Sequence, residues 1–225
     1  MNKNLTEIVF ILDRSGSMEG LEKDTIGGFN SLIKKQKTEE GEAFISTVLF
    51  DDEIDVIHDR VPLEKIERLT DEEYYVRGCT ALFDAVGSAI KHIGNIHKYA
   101  REEDRPSRTL FVITTDGMEN ASVKYDKKTV KRLIEGQKKK YGWEFLFLGA
   151  NIDAADEAAK IGIGKDRAVN YCGDAEGTAL NFSVLSKAIS GIRSAEFASP
   201  KLASMHIDAC LEEINEDYQK RGKKR

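Results

Sequence analysis

The chain has 225 residues, 40% of them hydrophobic and 32% charged, with a formal net charge of −5. That length can bury one substantial core and does not call for a second large domain, and the acidic balance argues against a general nucleic-acid binder. No apolar stretch approaches the roughly 18 residues needed to cross a membrane, and Met1 to Glu7 is polar rather than signal-like, so neither a membrane nor a nucleic acid is expected as a partner.

In chain order, Ile8 to Leu12 is a continuous apolar run of strand length, followed by turn residues and by Leu21 to Lys37, where Ile26, Phe29, Leu32 and Ile33 recur at helical spacing. Ala43 to Phe50 reads as a second buried strand. Ile54 to Val61 has no cleanly apolar face and suits an edge strand joined through an Asp51-Asp52-Glu53 turn. From Thr80, the residues Leu82, Phe83, Val86, Ala89, Ile90 and Ile93 form a helical stripe ending near His97. Leu110 to Ile113 is a further buried run that ends in Thr114-Thr115-Asp116-Gly117. A helix over Lys127 to Lys140 stops at Gly142 and leads into a strand over Trp143 to Leu148.

A short strand at Ala168 to Tyr171 then precedes a helix whose Leu180, Val184, Leu185, Ala188, Ile189 and Ile192 share a face. Alternating strands and helices, with strands that read as unbroken apolar runs, predict an α/β domain with a mostly parallel sheet, one antiparallel edge strand and helices on both faces. Beyond Pro200, the residues Leu202, Met205, Ile207, Leu211, Ile214 and Tyr218 form an amphipathic helix, which we expect to pack on its own domain. The basic tail Lys220-Arg221-Gly222-Lys223-Lys224-Arg225 reads as a solvated terminus. The three cysteines, Cys79, Cys172 and Cys210, are scattered without a C-x-x-C pair, which fits a reduced, cytoplasmic setting.

Five oxygen-bearing residues stand just past these strands or in a glycine-containing loop: Asp13, Ser15 and Ser17, then Thr80, then Asp116. Parallel sheets bind ligands at the carboxyl ends of their strands, which is where this set falls. Two carboxylates balance a divalent ion and three hydroxyls coordinate without adding charge, so the set suits Mg²⁺ or Mn²⁺ better than zinc.

Each part also has a plainer reading. Asp-x-Ser-x-Ser can be a helix-capping turn, Thr80 the N-cap of the next helix, and Thr115-Asp116-Gly117 a simple turn. Asp51, Asp52 and Glu53 read as an exposed hairpin turn and stay outside the site. Glu119 reads as a solvated loop carboxylate near Asp116. His58, His92, His97 and His206 lack paired ligand spacing. No G-x-S-x-G elbow surrounds Ser15 or Ser17, and Gly162 to Asp166 lacks the residues of a Walker loop.

Taken together, Asp13-Arg14-Ser15-Gly16-Ser17, Thr80 within Arg77-Gly78-Cys79-Thr80-Ala81-Leu82, and Asp116-Gly117 resemble the metal-ion-dependent adhesion site of von Willebrand factor A domains, with a Glu119-Asn120 continuation similar to bacterial, intracellular-type members. The resemblance implies a doubly wound, Rossmann-like domain over residues 3–196, with a C-terminal helix and basic tail over 197–225. It also implies a non-enzymatic module whose metal binds an Asp or Glu carboxylate of a partner protein. Ser15 and Ser17 would coordinate directly, while Thr80, Asp13 and Asp116 would do so directly or through water. Arg14, at a variable position of the motif, is expected at the rim, attracting an anionic partner. Two other readings stay open at this point: a Mg²⁺-dependent phosphoryl-transfer or hydrolytic enzyme with Asp13 as nucleophile, and a structural protein with a vestigial metal site.

Overall fold

A computed structural model describes residues 1–194 and 200–222. Six strands, β1 (Asn2–Asp13), β2 (Glu42–Phe50), β3 (Ile54–Pro62), β4 (Pro106–Thr115), β5 (Glu144–Ala150) and β6 (Ala168–Tyr171), form one sheet in the order β3-β2-β1-β4-β5-β6. Every neighbouring pair is parallel except β2 and β3. The helices are α1 (Glu22–Gln36), α2 (Leu82–Tyr99), α3 (Lys127–Tyr141), α4 (Ala154–Lys160), α5 (Ala175–Arg193) and α6 (Pro200–Gly222). None of the described helices is long and apolar enough to cross a membrane.

The period-2 geometry of β1 divides the core. Ile8, Phe10 and Leu12 join a cluster with residues of α1, α5 and α6, whereas Val9 and Ile11 join one with residues of α2, α3 and α4. Both faces of the sheet are therefore covered, as the unbroken apolar strands predict. Gly142 ends α3 in the left-handed conformation, with φ of 65° and its amide donating to the Lys138 carbonyl.

Three elements differ from the sequence reading, among them β4, which begins at Pro106 rather than at the apolar run from Leu110. Strand β1 begins at Asn2, well before Ile8, because Glu7 is buried with its carboxylate paired to Arg60 at 2.8 Å and His97 at 3.2 Å. Helix α4, which no periodicity announced, buries only Ala154 and Ala158. The final helix packs in cis: Ile207, Cys210, Leu211 and Ile214 are buried. Arg167 donates to Asp208 and, at 2.6 Å, to Ser204, and Lys187 pairs with Glu213 at 2.6 Å. The domain boundary at 196/197 and the tail residues Lys223, Lys224 and Arg225 lie outside the described residues.

Candidate metal centre

Chain order reverses between β1 and β4: β2 and β3 follow β1 on one side, β5 and β6 follow β4 on the other. The crevice at the carboxyl ends of those two strands is where such sheets hold ligands. Leu12 pairs with Thr114 across it, which sets Asp13 beside Thr115. Thr115 Oγ1 donates to Asp13 Oδ2 at 2.5 Å, the Ser15 amide donates to Oδ1 at 2.7 Å, and the Tyr74 hydroxyl donates to the Asp13 carbonyl at 2.5 Å.

The three hydroxyls converge beside this carboxylate. Ser15 Oγ lies 3.0 Å from Ser17 Oγ and accepts from Thr80 Oγ1 at 3.0 Å. Ser15 and Thr80 are buried, whereas Ser17 is exposed, so the cluster opens to solvent on the Ser17 side. The backbone of Gly117 comes so close that a Cβ there would stand 2.8 Å from Thr80 Oγ1 and 2.9 Å from Ser17 Oγ.

Asp116 is buried, and among the described residues neither of its carboxylate oxygens has a partner in hydrogen-bond geometry. An unsatisfied buried carboxylate is costly, and such groups are normally paired or hold a cation. Burial pushes its carboxyl above the ordinary range, offset in part by the Ser17 hydroxyl and its own backbone amide, which stand near it outside hydrogen-bond geometry. Burial likewise raises Asp13, to about 6, against the opposing hydrogen bonds from Thr115 and Ser15. Two buried carboxyl groups, whose charged forms burial penalises, next to three hydroxyls fit a divalent ion with hard oxygen ligands. Among the described residues, no group of three or more His, Cys, Asp or Glu side chains gathers as a metal cage.

The capping readings do not describe this geometry. Helix α2 has Ala81 at its N-cap with no side-chain cap bond, and the short 3-10 turn after Ser15 likewise has none. The Thr80 and Ser15 hydroxyls point at each other instead.

Three expectations need correction. Arg14 is not at the rim: it is among the largest fully buried side chains, with Nε donating to Asp51 at 2.7 Å and Nη2 paired with Asp55. Asp51 is not in an exposed turn: it is fully buried and also receives Arg77 Nε at 2.8 Å. Charged side chains read as solvated unless a partner is known, and here the partners lie 37 and 26 residues apart in sequence. Glu119 is no free loop carboxylate: it accepts from the amides of Phe83, Ala121 and Ser122 at 2.8, 3.0 and 2.8 Å.

Glu119 thereby ties the loop after β4 to the start of α2. Two more residues, to which the sequence reading assigned no role, have the same effect. Asn120 Oδ1 accepts from the Thr80 amide at 2.9 Å, fixing the loop that carries the third hydroxyl. Asp84 accepts from the amides of Val123, Lys124 and Tyr125 at 2.7–3.1 Å. Asn120 stands out in the sequence only through the Glu119-Asn120 continuation, and no short-range pattern marks Asp84.

The raised carboxyls give a pH prediction. A divalent ion held at this cluster would compete with the proton on Asp13, so its affinity should be level above about pH 6 and fall by roughly tenfold per unit below it. In metal-free protein the sign for stability is opposite to that of an ordinary salt-bridged Asp. Between about pH 4 and 6 the folded state keeps a proton that the unfolded state has released, so this group lowers stability as pH rises. Titrating Mg²⁺ at pH 5 and 7.5 checks the first statement, and equal affinity at the two would contradict it.

No family model matches the chain, and no curated protein matches it. Solved structures do. Proximal thread matrix protein 1 from mussel byssus is 13% identical with a TM-score of 0.58, over 83% of this chain and 48% of that one. A further structure of that protein has a zinc-occupied MIDAS motif. A von Willebrand factor type A protein from Catenulispora acidiphila is 17% identical, TM-score 0.56, over 84% and 43%. The ArnB paralog VWA2 from Sulfolobus acidocaldarius is 17% identical, TM-score 0.51, over 85% and 46%. The chain spans less than half the length of these solved structures, and the likeness is one of fold.

Proposed function

Starting from its von Willebrand factor A-like fold, we propose that this chain is a metal-dependent protein-binding module, in which Asp13, Ser15, Ser17, Thr80 and Asp116 hold a divalent cation that captures an Asp or Glu carboxylate of a partner protein. The observation that carries the reading is the buried carboxylate of Asp116, without a hydrogen-bond partner among the described residues, beside three hydroxyls linked through Ser15. An all-oxygen set of this kind favours Mg²⁺ or Mn²⁺. The exposed side of the cluster, at Ser17, supports an ion with coordination positions left for water or for an incoming carboxylate.

The binding role is favoured over an enzymatic one by the state of Asp13. Both of its carboxylate oxygens are already engaged, by the Ser15 amide and the Thr115 hydroxyl, which suits an anchored metal holder better than a nucleophile that must approach a phosphorus atom. The test is partner capture on immobilised chain in Mg²⁺, repeated in EDTA and with Asp116→Ala. A partner held only by metal-loaded wild type, and lost when one of its own acidic residues is changed to the amide, is the expected result. Capture that persists in all three conditions would overturn the proposal, as would Mg²⁺-dependent hydrolysis of a generic phosphate ester abolished by Asp13→Asn.

A further inference from the structure

Helix α3 carries seven Lys and Arg residues against a single Glu, in a chain whose net charge is −5. Positive charge is thus concentrated on one element while the rest of the chain is more acidic than the total suggests. Where α3 lies beside α2 the two helices enclose a groove of about 360 Å³. Every charged residue lining it is basic: Lys91 and Lys98 from α2, Arg132 and Lys140 from α3. All four are exposed, and none of them makes an ion pair among the described residues. Gly94 and Gly136 stand among these cations without side chains, with Gln137 Nε2 3.1 Å from where a Cβ on Gly94 would be and open space over Gly136.

Cations at the last turn of a helix are favoured by its dipole, which accounts for Lys98 and Lys140. Lys91 and Arg132 are in helix interiors, and the dipole does not account for them. Along each helix the cations are seven and eight residues apart, roughly 10–12 Å at 1.5 Å per residue. An extended peptide advances about 3.3 Å per residue, so its alternate side chains, some 6–7 Å apart, fall within reach of both rows over about four to six residues.

We propose that this α2/α3 groove is a second binding site, separate from the metal centre, that receives an acidic segment of another polypeptide. Charge complementarity selects an anion. The chain as a whole carries a net charge of −5, which disfavours a long nucleic-acid polyanion and selects a short acidic segment.

The experiment titrates the whole chain into a fluorescently labelled hexaglutamate peptide, in EDTA so that no metal-bound carboxylate contributes, with oligothymidylate of equal charge as a second probe. Wild type should bind the peptide in a salt-sensitive way. The variant Lys91→Gln/Lys98→Gln/Arg132→Gln/Lys140→Gln should bind it roughly tenfold more weakly, as expected for the loss of several exposed charge contacts. A variant with Lys3, Lys23, Lys34 and Lys65 changed to Gln has the same net charge and should bind as wild type does. Equal weakening in the two variants, no binding by wild type, or tighter binding of the oligonucleotide would overturn the proposal. All eight substituted residues are exposed, so circular dichroism of both variants should match wild type.

Discussion

Asp51→Ala is expected to cost about 2–4 kcal/mol of stability, because a buried guanidinium loses one of its two carboxylate partners. The Asp51 carboxylate is fully buried; it accepts from Arg14 and Arg77 through one oxygen and from the Glu53 amide at 2.6 Å through the other. Arg14, with a side chain only 2% exposed, would keep just Asp55 and the Glu73 carbonyl. Arg77 contributes little to the figure, since its side chain is 35% exposed and water can replace the lost pair.

The effect should reach the metal loops as well. The backbone runs in register through the same residues: the Arg77 amide donates to the Arg14 carbonyl, Gly16 to Gly78, and Ala81 to Asp51. Loosening Asp51 frees the segment that ends in Thr80. Urea unfolding would show a lower midpoint, and the double variant Arg14→Met/Asp51→Leu should recover part of the loss, because no unpaired charge is then buried. An Asp51→Ala protein within about 1 kcal/mol of wild type would contradict this account.

Asp116→Ala is expected to act in the opposite way. In metal-free protein it removes a buried carboxylate whose oxygens have no partner, so stability should be unchanged or higher. In saturating Mg²⁺ the order reverses. Wild type gains about 2.7 kcal/mol at an ion concentration a hundred times the dissociation constant, while a variant that binds no ion gains nothing. A side chain that destabilises the empty protein and stabilises the loaded one is what a binding site requires, and a structural Asp would show neither the gain in EDTA nor the crossover. Thermal melts of both proteins in EDTA and in Mg²⁺ measure it.

Much of the fold is legible in the sequence because parallel strands buried on both faces read as unbroken apolar runs: Glu42–Phe50, Glu144–Ala150 and Ala168–Tyr171 stand within a residue or two of where periodicity puts them. What was illegible depends on long-range pairing. Glu7 looks like a solvent residue until Arg60 and His97 are placed beside it, and Arg14 looks like a rim residue until Asp51 and Asp55 are. Helix α4 is one turn short of a readable amphipathic period and buries only alanines.

The oxygen cluster was legible for a different reason. Asp13, Ser15, Ser17, Thr80 and Asp116 stand at or just past strand ends or just before a helix, so the topology alone brings them to one crevice, and the structure does place them together. The groups that hold the cluster, Tyr74, Asn120, Glu119 and Asp84, act through backbone carbonyls and amides. Such bonds leave no residue pattern to read.

The most direct test of the metal centre is calorimetric titration of Mg²⁺ into chelator-stripped protein, with Asp116→Ala in parallel. The account predicts about one ion bound per chain by wild type and none by the variant. No binding by wild type, or binding that survives in Asp116→Ala, would contradict it.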